Sequence, residues 1–135
     1  MKIETTSISD IGAFGENAAE KYLKKKKYKI IAKNVHAGKS EIDIVAAYKD
    51  VLVFVEVKTR SYEEGKTNLS RPADAVNKEK ITYLIRGANR FCSENDAKFS
   101  DYYKRFDIIE VYLSKKRNKY SVDEVKHFEN AIGRN

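Results

Sequence analysis

Ser40-Glu41-Ile42-Asp43-Ile44-Val45-Ala46-Ala47, then Tyr48-Lys49-Asp50, then Val51-Leu52-Val53-Phe54-Val55-Glu56-Val57-Lys58 is the stretch on which the fold turns. Two runs rich in β-branched and aromatic residues flank a short polar break, the pattern of an antiparallel β-hairpin. Alternate residues of a strand share a face. Ile42 and Ile44 therefore point one way, with Glu41, Asp43 and Val45 the other. In the following strand Val51, Val53, Val55 and Val57 share one face, and Leu52, Phe54, Glu56 and Lys58 the opposite one. If Ala47 pairs with Leu52, counting back sets Asp43 opposite Glu56, with Cβ atoms roughly 5 Å apart. A slip of one residue would break that facing.

Two carboxylates so placed repel, and Phe54 beside them makes solvation poor. A divalent cation resolves the conflict. Mg²⁺, or Mn²⁺ in its place, takes oxygen ligands and keeps several waters. Asp43, Glu56 and one backbone carbonyl, that of Val57, would suffice. Lys58 lies on the face of Glu56, about 6.6 Å further along the strand. From there it reaches a water or a phosphate oxygen at the cation. Phosphodiester hydrolysis needs an activated water and neutralised charge on the phosphorus, and this set supplies both. Lys58 would serve as a base if burial lowers its pKa, or as a charge stabiliser if not. The same residues also read as a solvated strand face with cross-strand salt bridges, and pattern alone leaves both readings open.

Outward from the hairpin, apolar residues at Ile11, Phe14, Ala18 and Tyr22 follow helical spacing, which predicts a first helix from about Asp10 to Lys27. At 100° per residue, Glu16 lines up with Gly12, Ala19 and Leu23, away from the polar arc of Asn17, Glu20, Lys21 and Lys24. Glu16 is expected to face protein. Gly12 and Gly15 are poor helix formers, so close approach of another element is expected at both. Tyr28 to Val35 reads as a strand, Thr59 to Arg71 as a polar loop, and Ala73 to Cys92 as a second helix. Phe106 to Leu113 and Tyr120 to Lys126 read as two further strands. The order αβββαββ predicts an α/β fold, a mixed sheet flanked by helices, in a single domain over residues 1–135.

The composition agrees with a soluble domain that meets a polyanion. Lys and Arg number 27 against 20 acids, a formal net charge of +7. A basic surface points to nucleic acid, so acids clustered within it need a reason. Arg60 and Arg71 flank the loop after the acidic strand, where they would grip a phosphate backbone. Lys80 adds a cation on the second helix, whose basic face is equally common without a ligand. No apolar run approaches the ~18–20 residues that span a bilayer. The start of the chain lacks the apolar core of a signal peptide. The single Cys92 excludes an internal disulfide and fits a reducing cytoplasm. One cysteine and two histidines cannot build a structural zinc site.

At these residues the chain resembles the UPF0102, or YraN-like, family. These are nucleases by motif, with a restriction-endonuclease-like core of the PD-(D/E)XK type, related to archaeal Holliday-junction resolvases. The resemblance rests on Gly12-Ala13-Phe14-Gly15-Glu16, Tyr28 and Asn34, Glu41-Ile42-Asp43-Ile44-Val45, and Val53 to Arg60. It extends through Ala75-Val76 with Lys80, Arg105-Phe106-Asp107, and Phe128-Glu129-Asn130-Ala131. It implies that Asp43 and Glu56 hold metal, that Lys58 is the catalytic lysine and that Glu16 joins the site. Glu41 matches a family acid at the margin of the site. Two departures stand out: Ser40 where the family has Gly, and Val35-His36-Ala37 where it carries arginine. The expected function is a Mg²⁺-dependent endonuclease acting on DNA, including branched or structured DNA. A homodimer follows from analogy to resolvases only. The rival is a nucleic-acid-binding module that keeps the fold without cleaving.

Overall fold

The computed structural model describes residues 2–4, 8–38, 40–63, 78–117 and 119–131. In chain order these form β1 (Lys2–Glu4), α1 (Ile8–Lys25), β2 (Lys29–Ala37), β3 (Ser40–Tyr48), β4 (Val51–Glu63), α2 (Lys78–Glu94), α3 (Asp96–Phe99), β5 (Tyr103–Lys116) and β6 (Lys119–Phe128). The strands make one mixed sheet in the order β1-β6-β5-β4-β3-β2, with five long strands and β1 as a three-residue edge. Among the described residues only β4 and β5 run parallel, in an unbroken register from Val51↔Tyr103 to Glu63↔Lys115. A parallel pair needs a long crossover, and α2 and α3 lie within it.

Apolar residues on alternate positions divide between the two faces. Ile44, Ala46, Val53, Val55, Ile109, Val111 and Leu113 pack under Phe14, Ala18, Ala19 and Leu23 of α1. Val45, Ala47, Leu52, Phe54 and Ile108 pack under Leu84 and Ala88 of α2 and Phe99 of α3. The centre of β4 is thus apolar throughout because both of its faces are covered. Among the described residues, no helix is long and apolar enough to cross a membrane.

Several boundaries differ from expectation. The strand β4 runs on to Glu63 where a loop was expected from Thr59, because β5 pairs with it over that whole length. The short β1 and α3 carry too few residues to show a period, and neither was expected. The expected start of the second helix at Ala73 falls outside the described residues, as does Arg71. Close approach is found at Gly15 and not at Gly12, where no described residue lies within 4 Å of an added Cβ. A methyl group built on Gly15 would stand 1.9 Å from Thr59 Oγ1 and 2.9 Å from Thr59 Cβ. Rotating the threonine cannot relieve a clash with its own Cβ. Gly15→Ala is therefore expected to lower stability by about 1–3 kcal/mol through overpacking, outweighing the better helix propensity of alanine. Urea denaturation checks this.

Candidate active site

The hairpin register is the one expected: Ala47 pairs with Leu52 and Tyr48 with Val51. The β3–β4 ladder stops at Ile44↔Val55, so Asp43 and Glu56 are the next residues on each side as the strands part. Past this fork β4 continues with β5, and β3 with β2. Asp43 closes the fork: the Val57 backbone N–H donates to its Oδ2 at 2.8 Å. In an extended strand the N–H and C=O of one residue point to the same side. The Val57 carbonyl is therefore aimed at the fork as well.

The facing of side chains differs from strict alternation. Ile44 packs on the α1 side and Ile42 on the α2 side, although they are two residues apart. Ser40 joins Ile42 on the α2 side, where its hydroxyl donates to the Tyr83 carbonyl and its Cβ would meet any side chain at Gly87. That packing accommodates serine where the family pattern has glycine. Glu41 and Asp43, alternating with Ser40 and Ile42, are turned toward α1 and its Glu16. Glu56 and Lys58 share a face, with Lys58 Nζ 3.2 Å from Glu56 Oε1. Ile42 and Ile44, on opposite faces, flank Asp43, so alternation alone does not assign it to the face of Glu56. It stands in the fork instead, electrostatically coupled to Glu16, Glu41 and Glu56.

Charge crowding at the fork is strong. Burial is the main force pushing the Asp43 carboxyl up, to about 6. The Val57 hydrogen bond opposes this, while Glu16, Glu56 and Glu41 add to it. Burial likewise raises Glu16, helped by Glu41 and opposed by Lys33 and by a hydrogen bond from Asn34. Lys33 is shared with Glu20, at 2.7 Å. Glu56 is 8% exposed and Asp43 half-buried, so these two carboxylates are withdrawn from water, while Glu41 stays exposed at the margin. That observation discriminates against the reading of simple surface salt bridges.

Of the residues singled out, the fold brings together Asp43, Glu56, Val57, Lys58, Glu16 and Glu41. Arg60 lies two residues beyond Lys58 on β4, half-buried. Lys80 belongs to α2, and its side chain lies outside the described residues. Two features were not foreseen. Glu110 is 4% exposed on β5, beside Lys58 in the parallel register, and accepts a hydrogen bond from Tyr112. An acid in the middle of the apolar run Ile108 to Leu113 was the available signal. The second is Asn34, with φ of 51° in the middle of a strand.

The donor set around the fork is all oxygen: two carboxylates, Asp43 and Glu56, and the Val57 carbonyl. This fits a hard cation such as Mg²⁺, which binds one or two carboxylates and fills its remaining positions with water. Among the described residues, no three His, Cys, Asp or Glu side chains converge as a ready-made metal cage. A cation here would rest on the smaller donor set.

The family model for "Uncharacterised protein family UPF0102" matches residues 15–111, which include every member of the fork. This chain belongs to the UPF0102 family. A UPF0102 protein of Caldanaerobacter subterraneus subsp. tengcongensis is 40% identical over 122 residues, spanning 90% of this chain and 93% of the relative. One from Flavobacterium psychrophilum is 40% identical over 124 residues, spanning 92% and 94%. One from Alkaliphilus oremlandii is 41% identical over 122 residues, spanning 90% and 97%. The UPF0102 match begins at Gly15, the helix position pressed against Thr59, and ends at Val111, one residue past Glu110.

Proposed function

We propose that this chain is a metal-dependent nuclease with a restriction-endonuclease-like core, hydrolysing phosphodiester bonds in DNA. The observation that carries the reading is the fork itself. In a protein of net charge +7, Asp43 is held by Val57 among Glu16, Glu41 and Glu56, with Lys58 alongside. Asp43, Glu56 and the Val57 carbonyl would hold Mg²⁺ or Mn²⁺. The cation would supply charge neutralisation at the phosphate and acidify an attacking water. Lys58, tethered to Glu56, orients its ammonium group toward the phosphate. Glu16 and Glu41 add negative potential that draws a cation in and rejects a bare phosphate without one. Arg60, further along the same strand, contacts the backbone of the nucleic acid.

The net charge of +7 supports equally a second reading, a nucleic-acid-binding module that does not cleave. Both readings predict DNA binding that weakens steeply with salt. They separate on metal. Titration calorimetry with Mn²⁺ should show binding that Glu56→Gln weakens. Linear, single-stranded and branched DNAs incubated with Mg²⁺ or Mn²⁺ should be cut. Lys58→Ala should slow cutting by at least about a hundredfold, the usual scale for losing a group that acts on the reacting centre. Salt-sensitive DNA binding with neither metal binding nor cleavage would replace the nuclease by the binding module.

A further inference from the structure

The change of facing in β3 between Ile42 and Ile44 coincides with an irregular residue on the neighbouring strand. The β2–β3 register passes from Lys33↔Ile44 to Val35↔Ile42 with no ladder pair between Asn34 and Asp43. At that gap Asn34 has φ of 51°, in the left-handed region. This conformation breaks the run of extended backbone, and Asn is among the few residues with a side chain that adopt it readily. The turn in the strand accounts for Ile42 and Ile44 falling on opposite faces. It thereby leaves Asp43 free to reach across to the Val57 N–H. The Asn34 side chain itself hydrogen-bonds to Glu16 on α1.

We propose that Asn34 is the positioning residue of the acidic fork: its backbone turns Asp43 into the site, and its amide holds Glu16 there. The amide contact comes from a neutral side chain, which adds no further charge to the crowded carboxylates. Aspartate tolerates the same backbone conformation but would place another anion against Glu16 and Asp43. Glycine keeps the backbone turn and loses the amide. Valine, β-branched, resists positive φ and favours the regular ladder. The two halves of the role are therefore separable by substitution.

The effect of Asn34 on cleavage rests on the nuclease reading, but its effect on geometry does not. The decisive measurement is amide hydrogen exchange at Val57, followed by NMR in the full chain. Asn34→Gly should keep Val57 protection within about threefold of wild type, and Asn34→Val should lower it by about tenfold or more. Val53 and Ile109, in the centre of the sheet, serve as controls and should change little in either variant. Mn²⁺ affinity by calorimetry should follow Val57, falling in Asn34→Val and persisting in Asn34→Gly. Unchanged Val57 protection in Asn34→Val would overturn the proposal, as would equal loss in both variants. Loss at Val53 and Ile109 as large as that at Val57 would overturn it too, since Asn34 would then serve the whole sheet. A wild-type protein that bound no Mn²⁺ and cut nothing would remove the nuclease reading while leaving the Val57 test intact.

Discussion

Asp43→Asn is expected to abolish metal-dependent cleavage and, at pH 8, to make the protein more stable. The two effects share one cause. The Asp43 carboxyl is raised from 3.8 to about 6, chiefly by burial. A carboxyl with a raised folded-state pKa favours the fold while protonated. Its contribution is complete below the unfolded pKa and is lost as pH rises through about 6. Above that, the ionised group is a burden of roughly 2–3 kcal/mol, since each pKa unit is worth about 1.4 kcal/mol. Asparagine keeps an oxygen for the Val57 N–H and removes the charge. A gain of roughly 2 kcal/mol should raise the melting temperature by several degrees. Calorimetric scans at pH 5 and pH 8 give the check. The wild type should lose stability over that interval, and Asp43→Asn should lose much less. Mg²⁺ should raise the melting temperature of wild type at pH 8 and leave the variant unmoved. A variant less stable than wild type at pH 8 would refute the account of a buried, disfavoured charge.

The largest loss of stability is expected at Asp107, which pairs with Val55 in the β4–β5 register and alternates with Ile108 on β5. Its side chain is 0% exposed and wholly enclosed by partners. Arg105 donates to both of its oxygens, at 2.9 and 2.8 Å, and the Asn130 backbone N–H donates to Oδ1 at 2.9 Å. His127 Nε2 lies 2.6 Å from Oδ2, and its Nδ1 lies 3.2 Å from the Tyr22 hydroxyl. Arg105 also donates to the Tyr28 hydroxyl and pairs with Glu129. Burial alone would raise the Asp107 pKa, but the hydrogen bonds from His127, Arg105 and Asn130 outweigh it and hold it below the ordinary value. A depressed carboxylate stabilises the fold above its unfolded pKa, and the benefit fades as pH falls through the folded one. Asp107→Ala opens a fully buried site and leaves the half-buried Arg105 without its main partner, a change expected to cost about 3 kcal/mol or more. Urea titrations at pH 7 should show that loss, and the gap to wild type should narrow in acid. The network ties α1, the start of β2, β5 and the segment after β6 to one carboxylate, so the loss should be global.

What could be read in advance followed from local rules. The short turn and the alternating runs set the β3–β4 register, and Ala47↔Leu52 is where counting placed it. Helical angle placed Glu16 toward the protein, and it is half-buried beside Glu41, Lys33 and Asn34. What escaped depended on partners distant in the chain. Alternation failed at Asp43 because Asn34, on another strand, adopts a left-handed conformation that composition does not announce. The polar residues Arg60 and Ser61 looked like loop because their strand character comes from pairing with Tyr112 and Leu113. Asp107 sits in an apolar run, and its partners Tyr22 and Tyr28 in the wider network lie far earlier in the chain. No periodicity links such residues, since buried polar networks are satisfied in space and not along the chain.

The fork between β3 and β4 bears on how freely such a chain can drift in evolution. The notch is cut by the main chain: a turn at Lys49-Asp50, a ladder that ends at Ile44↔Val55, and a left-handed residue at position 34. Backbone geometry is indifferent to most exchanges among β-branched residues in the walls. Exchanges of valine for isoleucine at the half-buried Val51 and Val57 leave that notch in place, while a few positions, Gly15, Asn34, Asp43 and Glu56 among them, hold the shape and its charge.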